Sequence, residues 1–449
     1  AQITDSGFAA MEGDAEDAVR LLTYGTDDPG ILGYINLPEG PKEFTLTAQT
    51  ETGITVTITG ESASLPYPAR EITVTATEVT DGERRAIRDQ ILGEEQAEPE
   101  RSYLLDITLW HGEKEIEPTG SVTVTFSGID TEGLYPKVCH IDTNAQTATD
   151  MEAEKTETGD VAVATDHFSM YNISLVAARE LSSTIGEDTF KDGGEFQLTG
   201  DVRTEDSINK VTISKNTIID LNGHTLTISK ANQFFEVHNG AKLTIMDSSN
   251  SIQDTESTVT GNVYGNKAIL ENDTLTYYIT ESTPTGTGTT ETLKKHTVTL
   301  TGAIRCGEGS DQAIKVNGGT LDIQGGVLRN SNGKRVVQME GGTLTMSGGY
   351  IVGGGNNNYD NGGGVYAKNG TVTISKGVIA ANSGTKGGGI CMEGGSFAMS
   401  GGVISGNQTK GGASTGSWDT GLGGGVFAQD TTVTISGGYI TNNRENAKC

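Results

Sequence analysis

The sequence predicts an all-β chain in two parts, an N-terminal β-sandwich followed by a C-terminal solenoid of stacked parallel strands. Three observations carry that prediction. Val, Ile and Thr alternate with period two in many runs between residues 43 and 176, which is the spacing of strands that bury one face. A Gly-rich unit recurs five times between 318 and 443; a repeat of roughly two dozen residues made of short strands is the mark of a solenoid. Helical spacing is confined to one segment, GERRAIRDQILGEEQAE at 82–98.

Composition limits the function classes. The 449 residues exceed one ordinary domain. With 63 Gly and 6% aromatic residues, the chain does not suit a large globular enzyme core. The formal charge is −28, and residues 1–180 hold 34 Asp+Glu against 11 Lys+Arg, a net of −23, leaving −5 for the rest. Such a surface repels phosphate backbones and anionic lipid, so nucleic acid is not an expected partner. No apolar run approaches the about 18 residues of a membrane span, so no membrane insertion is expected. Cys139, Cys306, Cys391 and Cys449 lack paired metal-ligand spacing, so neither a metal nor another cofactor is expected. Few cysteines in a Thr- and Gly-rich β chain fit an extracellular protein, secreted or attached to a cell wall. The chain shows no signal-peptide pattern, begins at Ala1-Gln2 and stops at Cys449 directly after a repeat. The expectation is a fragment whose coil continues.

Taken in order, residues 1–39 are small and acidic and are expected to be a partly disordered leader. Residues 40–178 form the sandwich, with strands at 43–50, 53–60, 71–79, 102–110, 120–128 and 160–176. Residues 179–192, ARELSSTIGEDTFK, form a polar linker. Residues 193–449 form the coil, opening with TIIDLNGHTLTI at 217–228, where Asn222-Gly223 marks a tight turn. Two insertions leave it: 264–300, expected to be a hairpin, and 408–424.

In the five repeats, the second apolar positions Ile323, Met346, Ile374, Met399 and Ile435 stand 23, 28, 25 and 36 residues apart. A first inward column of Leu, Val or Phe and this second column of Ile or Met are expected to stack from rung to rung. Gly pairs such as Gly348-Gly349 permit sharp corners. Asn330, Asn382, Asn407 and Asn443 are expected to share one corner and to hydrogen-bond along the stack. Cys391 fills the slot of Tyr366 and Phe427, a place next to the core rather than a reactive one.

Two resemblances follow from these motifs. The stretches LLDITLWHGEKEIEPTGSVTVTF (104–126), VCHIDT (138–143) and FSMYNISLV (168–176) resemble the ZU5-like or Ig-like sandwich modules of large Firmicutes surface proteins. Residues 190–449 resemble a pectin-lyase-like, right-handed parallel β-helix. The first implies a cell-surface location. The second implies either a glycan-cutting enzyme or a coil kept as a scaffold.

The chemistry that a cutting enzyme needs does not recur in register. Residues 301–449 hold no His, and Asp322 aligns with Thr345, Thr373, Ala398 and Thr434. A glycosidase needs two carboxylates flanking one sugar. Glu340, Glu393 and Asp430 share a corner that suits solvated turn acids. Asp360 is a lone carboxylate in NNNYDNGGG. His224 reads as a turn histidine, with Asp220 turned outward beside it. Trp418, in the second insertion, is a candidate sugar-stacking platform. In the sandwich, His167-Phe168-Ser169 matches the site at which ZU5 and nucleoporin-type domains cleave themselves. That resemblance implies attack of Ser169 on the Phe168 carbonyl, with His167 as base. Lys42 and Asn172 are conceivable partners of an isopeptide cross-link. The leading expectation is an adhesin-type surface protein that binds host or dietary glycans or a surface protein ligand through its coil. The alternatives are a carbohydrate-active enzyme and a self-cleaving module.

Overall fold

The computed structural model describes residues 43–79, 82, 86, 101–131, 134–142, 145–151, 153–156, 158–230, 233–249, 251–260, 266–285, 288–307, 312–330, 332–355, 361–410 and 421–445, with the short strands Gln2–Ile3, Phe8–Ala10 and Leu21–Thr23. The chain divides into two compact units, Ala1–Ala177 and Ala178–Cys449. The three short strands pair antiparallel in a small sheet within the expected leader. The predicted helix at 82–98 lies almost wholly outside the described residues.

The first unit is a sandwich of two antiparallel sheets. One holds Thr147–Met151, Leu134–Asp142, Met170–Ala177, Arg101–His111 and Ile72–Glu78 in that order, with Lys114–Ile116 paired to Arg101–His111. The other holds Ala153–Lys155, Val161–Thr165, Val122–Ser127, Thr55–Glu61 and Glu43–Gln49. Alternate residues of both sheets meet in one core: Val56, Ile58, Val124 and Phe126 from the second sheet, and Ile107, Leu109, Tyr171 and Ile173 from the first. One expectation is corrected. Residues 160–176 read as one strand, but they are two strands in opposite sheets, and residues 166–169 cross between them. Phe168 turns inward at this crossing, only 4% exposed, and anchors it in the core.

The second unit is a parallel β-helix. Each full turn of chain contributes a strand to a first sheet of nine strands, a second of eight and a third of seven. The register reproduces the predicted columns. Leu321, Leu344, Val372, Phe397 and Val433 are successive partners, and so are Ile323, Met346, Ile374, Met399 and Ile435. Inward residues of all three sheets form one continuous core, which is how rungs that cannot bury a face alone gain stability. The Gly pairs do two different jobs. The second glycine carries the turn, as at Gly402 with φ +80°. The first is a matter of close approach, since a Cβ on Gly401 would stand 2.0 Å from the Ser375 carbonyl oxygen.

The linker 179–192 is also corrected. Arg179–Leu181 pairs in parallel with Gly194–Leu198, Ile185 bridges Thr204, and Phe190 is fully buried against Phe196. The segment is the first rung of the coil. Its sparse apolar residues face inward while the many polar ones face out.

The first insertion begins earlier than expected. Gln253–Val259, Ile269–Glu271, Thr274–Thr285 and Gly288–Thr299 form an antiparallel sheet of four strands, with the last two as the hairpin. Its apolar side, including Leu275, Ile279 and Val298, packs on the outward residues Ala303, Val327 and Val378 of the second sheet. The hairpin therefore covers the outside of the second sheet. At the second insertion, Gln408–Thr409 pairs with Ser383–Gly384 and belongs to the rung; residues 411–420 lie outside the described residues.

Candidate functional site

Among the described residues, two places bear on the chemistry expected from the sequence. The first is the crossing at 166–169. His167 does not approach Ser169. Its side chain is 70% exposed and its Nδ1 lies 3.2 Å from Asp166 Oδ1. Ser169 is bound instead by a residue of the neighbouring strand, with Ser169 Oγ 2.9 Å from His140 Nε2 and 3.1 Å from the Ile141 carbonyl oxygen. Burial, and then the nearby charge of His167, lower the His140 imidazole from its ordinary value, with Asp142 opposing. A neutral imidazole beside a serine hydroxyl can accept its proton. The His167–Phe168 peptide, one before the Phe168–Ser169 bond, is clamped. The Phe168 amide donates to Glu117 Oε2 at 2.8 Å, and the His167 carbonyl accepts from Thr165 Oγ1 at 2.8 Å and from Tyr171 Oη. Burial pushes the Glu117 carboxyl up, against the pull of the Phe168 amide and of His167. None of residues 166–169 has positive φ, so the crossing stores no strain of that kind. The sequence named the Ser and missed its partner, although His140 stands inside the quoted VCHIDT stretch; only strand pairing brings it opposite Tyr171, two residues from Ser169.

The opening turn of the coil differs from its expectation in one residue. Asn222 and Gly223 have φ +44° and +78°, as an Asn-Gly turn requires. Asp220 is fully buried rather than turned outward. Its carboxylate accepts from the Asn222 and Ser248 amides, Ser248 Oγ and Gln197 Nε2. Asp220 therefore ties three rungs together, and His224 lies 3.8 Å from Asp201 instead.

The second place is the outer face of the third sheet. Two outward columns run along it. Glu236, Lys315, Gln338, Tyr366, Cys391 and Phe427 are successive partners in one. Glu340, Lys368, Glu393 and Gln429 are successive in the other. Glu340 and Glu393 are therefore strand residues two rungs apart, and Asp430 is out of line by one, which corrects the shared corner. Two rungs separate backbones by roughly 10 Å, and Lys368 lies between them. That is a ladder of alternating charge, not a carboxylate pair flanking one sugar.

The side chains on this face are held in place. Glu393 accepts from Tyr366 Oη at 2.8 Å and from Asn361 Nδ2 at 3.3 Å. The Arg335 guanidinium stacks 4.7 Å above the Tyr366 ring, and Lys386 Nζ lies 5.1 Å above Phe427. Cys391 is fully buried in the same column, where burial, and then Glu393, push its thiol up to about 12; it is not a nucleophile. Sequence repeats could have found this site by extending the Tyr366–Cys391–Phe427 slot two residues, to Lys368, Glu393 and Gln429.

At the early end of the face, Glu236 is held by Lys210 Nζ at 2.5 Å, His238 Nε2 at 3.1 Å and Lys315 Nζ at 3.8 Å. Burial alone would raise its pKa, but the hydrogen bonds from Lys210 and His238 outweigh burial and hold it below the ordinary 4.5. A depressed carboxyl stabilises the fold above its unfolded pKa, and that contribution is lost as pH falls through the folded value. Glu236→Gln is thus expected to lower coil stability by about 1–3 kcal/mol at pH 7. The difference from wild type should shrink below pH 4.5. Urea unfolding of both proteins from pH 7 to pH 3 checks this, and a constant difference would contradict it.

On the first sheet, Asp322 is satisfied by Lys242 at 3.2 Å, Thr345 Oγ1 at 2.6 Å and Gln324 at 3.0 Å. No group of three or more His, Cys, Asp or Glu is placed to hold a metal among the described residues. Trp418, Asp360 and Lys42 lie outside the described residues. Asn172 is buried, bonded to Ser102 and Ser174. Compared with protein-family models, curated proteins and solved structures, the chain matches none of them.

Proposed function

We propose that the chain is an extracellular, adhesin-type binding scaffold whose coil holds a glycan on the outer face of its third sheet. One observation carries the reading. The hairpin occupies the outside of the second sheet, whereas the third sheet presents aromatic, amide, carboxylate and cationic side chains in register along its length. Recognition of an extended glycan needs such a rigid, polar and periodic surface. A surface location, in the manner of Firmicutes sandwich modules, agrees with the order of the two units and the acidic first unit. The test is a glycan array followed by incubation of the retained glycans. Retention without new reducing ends or unsaturated products is expected. Release of such products would make the coil an enzyme, and retention of a protein ligand alone would move the reading away from glycans.

The Ser169–His140 contact favours a second reading, self-cleavage between Phe168 and Ser169. Ser169 Oγ would attack the Phe168 carbonyl carbon as His140 Nε2 takes the hydroxyl proton. The Phe168–Ser169 C–N bond breaks and the Ser169 amine takes that proton. Water then hydrolyses the resulting ester, leaving a Phe168 carboxylate and the Ser169 hydroxyl.

A further inference from the structure

The first sheet of the coil carries a pattern that the glycan reading leaves unused. Its last four strands, each with the residue that follows, read TLTMS (343–347), TVTIS (371–375), SFAMS (396–400) and TVTIS (432–436). The apolar residues fill the inward columns. The first, third and fifth residues face outward, and all but Ala398 carry a hydroxyl. Thr343, Thr371, Ser396 and Thr432 are successive partners, and so are Thr345, Thr373, Ala398 and Thr434. The serines after the strands continue the ladder, since the Ser375 amide donates to the Met346 carbonyl, Ser400 to Ile374 and Ser436 to Met399. Thr371, Thr432, Thr434 and these serines are exposed, and the rest of the array is half-buried.

Strand propensity alone does not produce this face. Thr favours strands, yet the outward columns of the third sheet hold Tyr, Cys, Phe, Lys and Glu. An outward column of the second sheet holds Val327, Tyr350, Val378, Val403 and Tyr439. On the first sheet the array holds no charged residue, in a chain whose formal charge is −28. Charge returns one rung earlier, where Asp322 pairs with Lys242.

The array is periodic in two directions. Rungs repeat at about 4.8 Å, and alternate residues along a strand repeat at about 6.6 Å. Water molecules joined at tetrahedral angles by hydrogen bonds of about 2.75 Å repeat in ice at about 4.5 Å in one direction and about 7.4 Å in the perpendicular one. The two grids agree to about a tenth. We infer that this face binds ice, with the coil axis along the shorter repeat of the lattice. The hydroxyls exchange hydrogen bonds with lattice water, and the Thr methyl groups between them lie against it. Hydroxyls of neighbouring rungs already join one network, since Ser396 Oγ donates to Thr371 Oγ1 at 3.2 Å. A protein partner would have to meet each covered hydroxyl separately or leave it unpaired, at a cost per group. A water lattice offers a partner at every repeat. The array spans roughly 14 Å along the axis and roughly 13 Å across it. It draws on no residue of the third-sheet face, so ice binding is independent of the glycan reading.

The test follows a single ice crystal in a solution of the whole chain, cooled slowly below the melting point of the ice. The wild type should facet the crystal and halt its growth over an interval of temperature. The double variant Thr371→Tyr/Thr373→Tyr, which plants two rings within the array, should abolish that interval. Thr47→Tyr, exposed on the sandwich strand Glu43–Gln49, should leave it unchanged. An unchanged unfolding temperature of the double variant shows that the lost effect is not lost fold. If that variant unfolds earlier, the single exposed change Thr371→Lys carries the test and should narrow the interval at wild-type stability. A wild-type crystal that grows without facets or pause would overturn the inference, and so would an interval that survives these variants. Sedimentation covers the other occupant. A dimer that the double variant dissociates, with no effect on ice, gives the face to a second copy of the chain and overturns ice binding as well.

Discussion

Asn407→Asp should loosen the late rungs of the coil by about 3–5 kcal/mol. Asn407 is fully buried. Its Oδ1 accepts from the Asn382 amide at 3.1 Å and from Asn382 Nδ2 at 3.0 Å. Its Nδ2 donates to the Ile379 carbonyl at 2.8 Å and to Asn443 Oδ1 at 3.0 Å. Aspartate keeps the shape and the acceptor but turns both donations into contacts between oxygens, at least one of them charged. Protonation would restore one donation, so the folded state should raise the pKa of the new carboxyl. A raised acid costs stability above its unfolded pKa, near 3.9, and the cost fades as pH falls. Asn407→Ala should instead cost about 2–5 kcal/mol at every pH, because it orphans the Asn382 amide and the Ile379 carbonyl. In a solenoid each rung leans on its neighbours. The loss should therefore appear as faster hydrogen exchange at 378–409 and 426–441, with 194–246 still protected. Uniform exchange across the coil, or an aspartate variant as stable as wild type, would refute the ladder.

That ladder also shows how far sequence could be read. Asn382, Asn407 and Asn443 were legible because each follows its strand by the same step, as in Val403-Ile404-Ser405-Gly406-Asn407. Asn330 comes one residue sooner after Val327-Leu328-Arg329, so it partners the Arg335 carbonyl and Asn332 and stands outside the ladder. Counting from the strand would have excluded it. The first rung was not legible, because Leu181, Ile185 and Phe190 are too sparse to set a period and their burial depends on the rung above. The crossing at 166–169 was hidden for the opposite reason. The inward positions of both flanking strands, Val161 and Val163 before it and Tyr171 and Ile173 after it, share one parity, so the alternation resumes as though unbroken and only Phe168, inward at an even position, marks the change of sheet.

The same limit governs the candidate sites. Strand residues such as Tyr366, Lys368 and Glu393 repeat and can be aligned, so their column was within reach of the sequence. Arg335 and Lys386 lie before their strands, in loops of unequal length, and only the folded turn lays them over the rings of the following rung. A rigid ladder supplies the spacing and the loops supply the charge. This division is common where loops carry recognition on a regular scaffold.

The other large effect is all-or-none. Intact mass of the purified chain should reveal two products of 168 and 281 residues (449 − 168). Ser169→Ala and His140→Ala should each leave one undivided chain, whereas His167→Ala should still be cut, since its exposed imidazole faces Asp166 and not the hydroxyl. Denaturing conditions are needed to see the cut. Val161–Thr165 stays paired with Val122–Ser127 in one sheet, and Met170–Ala177 stays paired between Leu134–Asp142 and Arg101–His111 in the other. The two products would therefore remain one folded sandwich. Tyr171→Phe offers a graded control. It removes one of two donors to the His167 carbonyl and leaves nucleophile and base untouched, so it should slow the cut without abolishing it. An uncut wild type after prolonged incubation would reduce the Ser169–His140 contact to a hydrogen bond closing the end of the sandwich. The His140→Ala variant would then show only the loss of stability, about 1–3 kcal/mol, of a half-buried serine deprived of its partner.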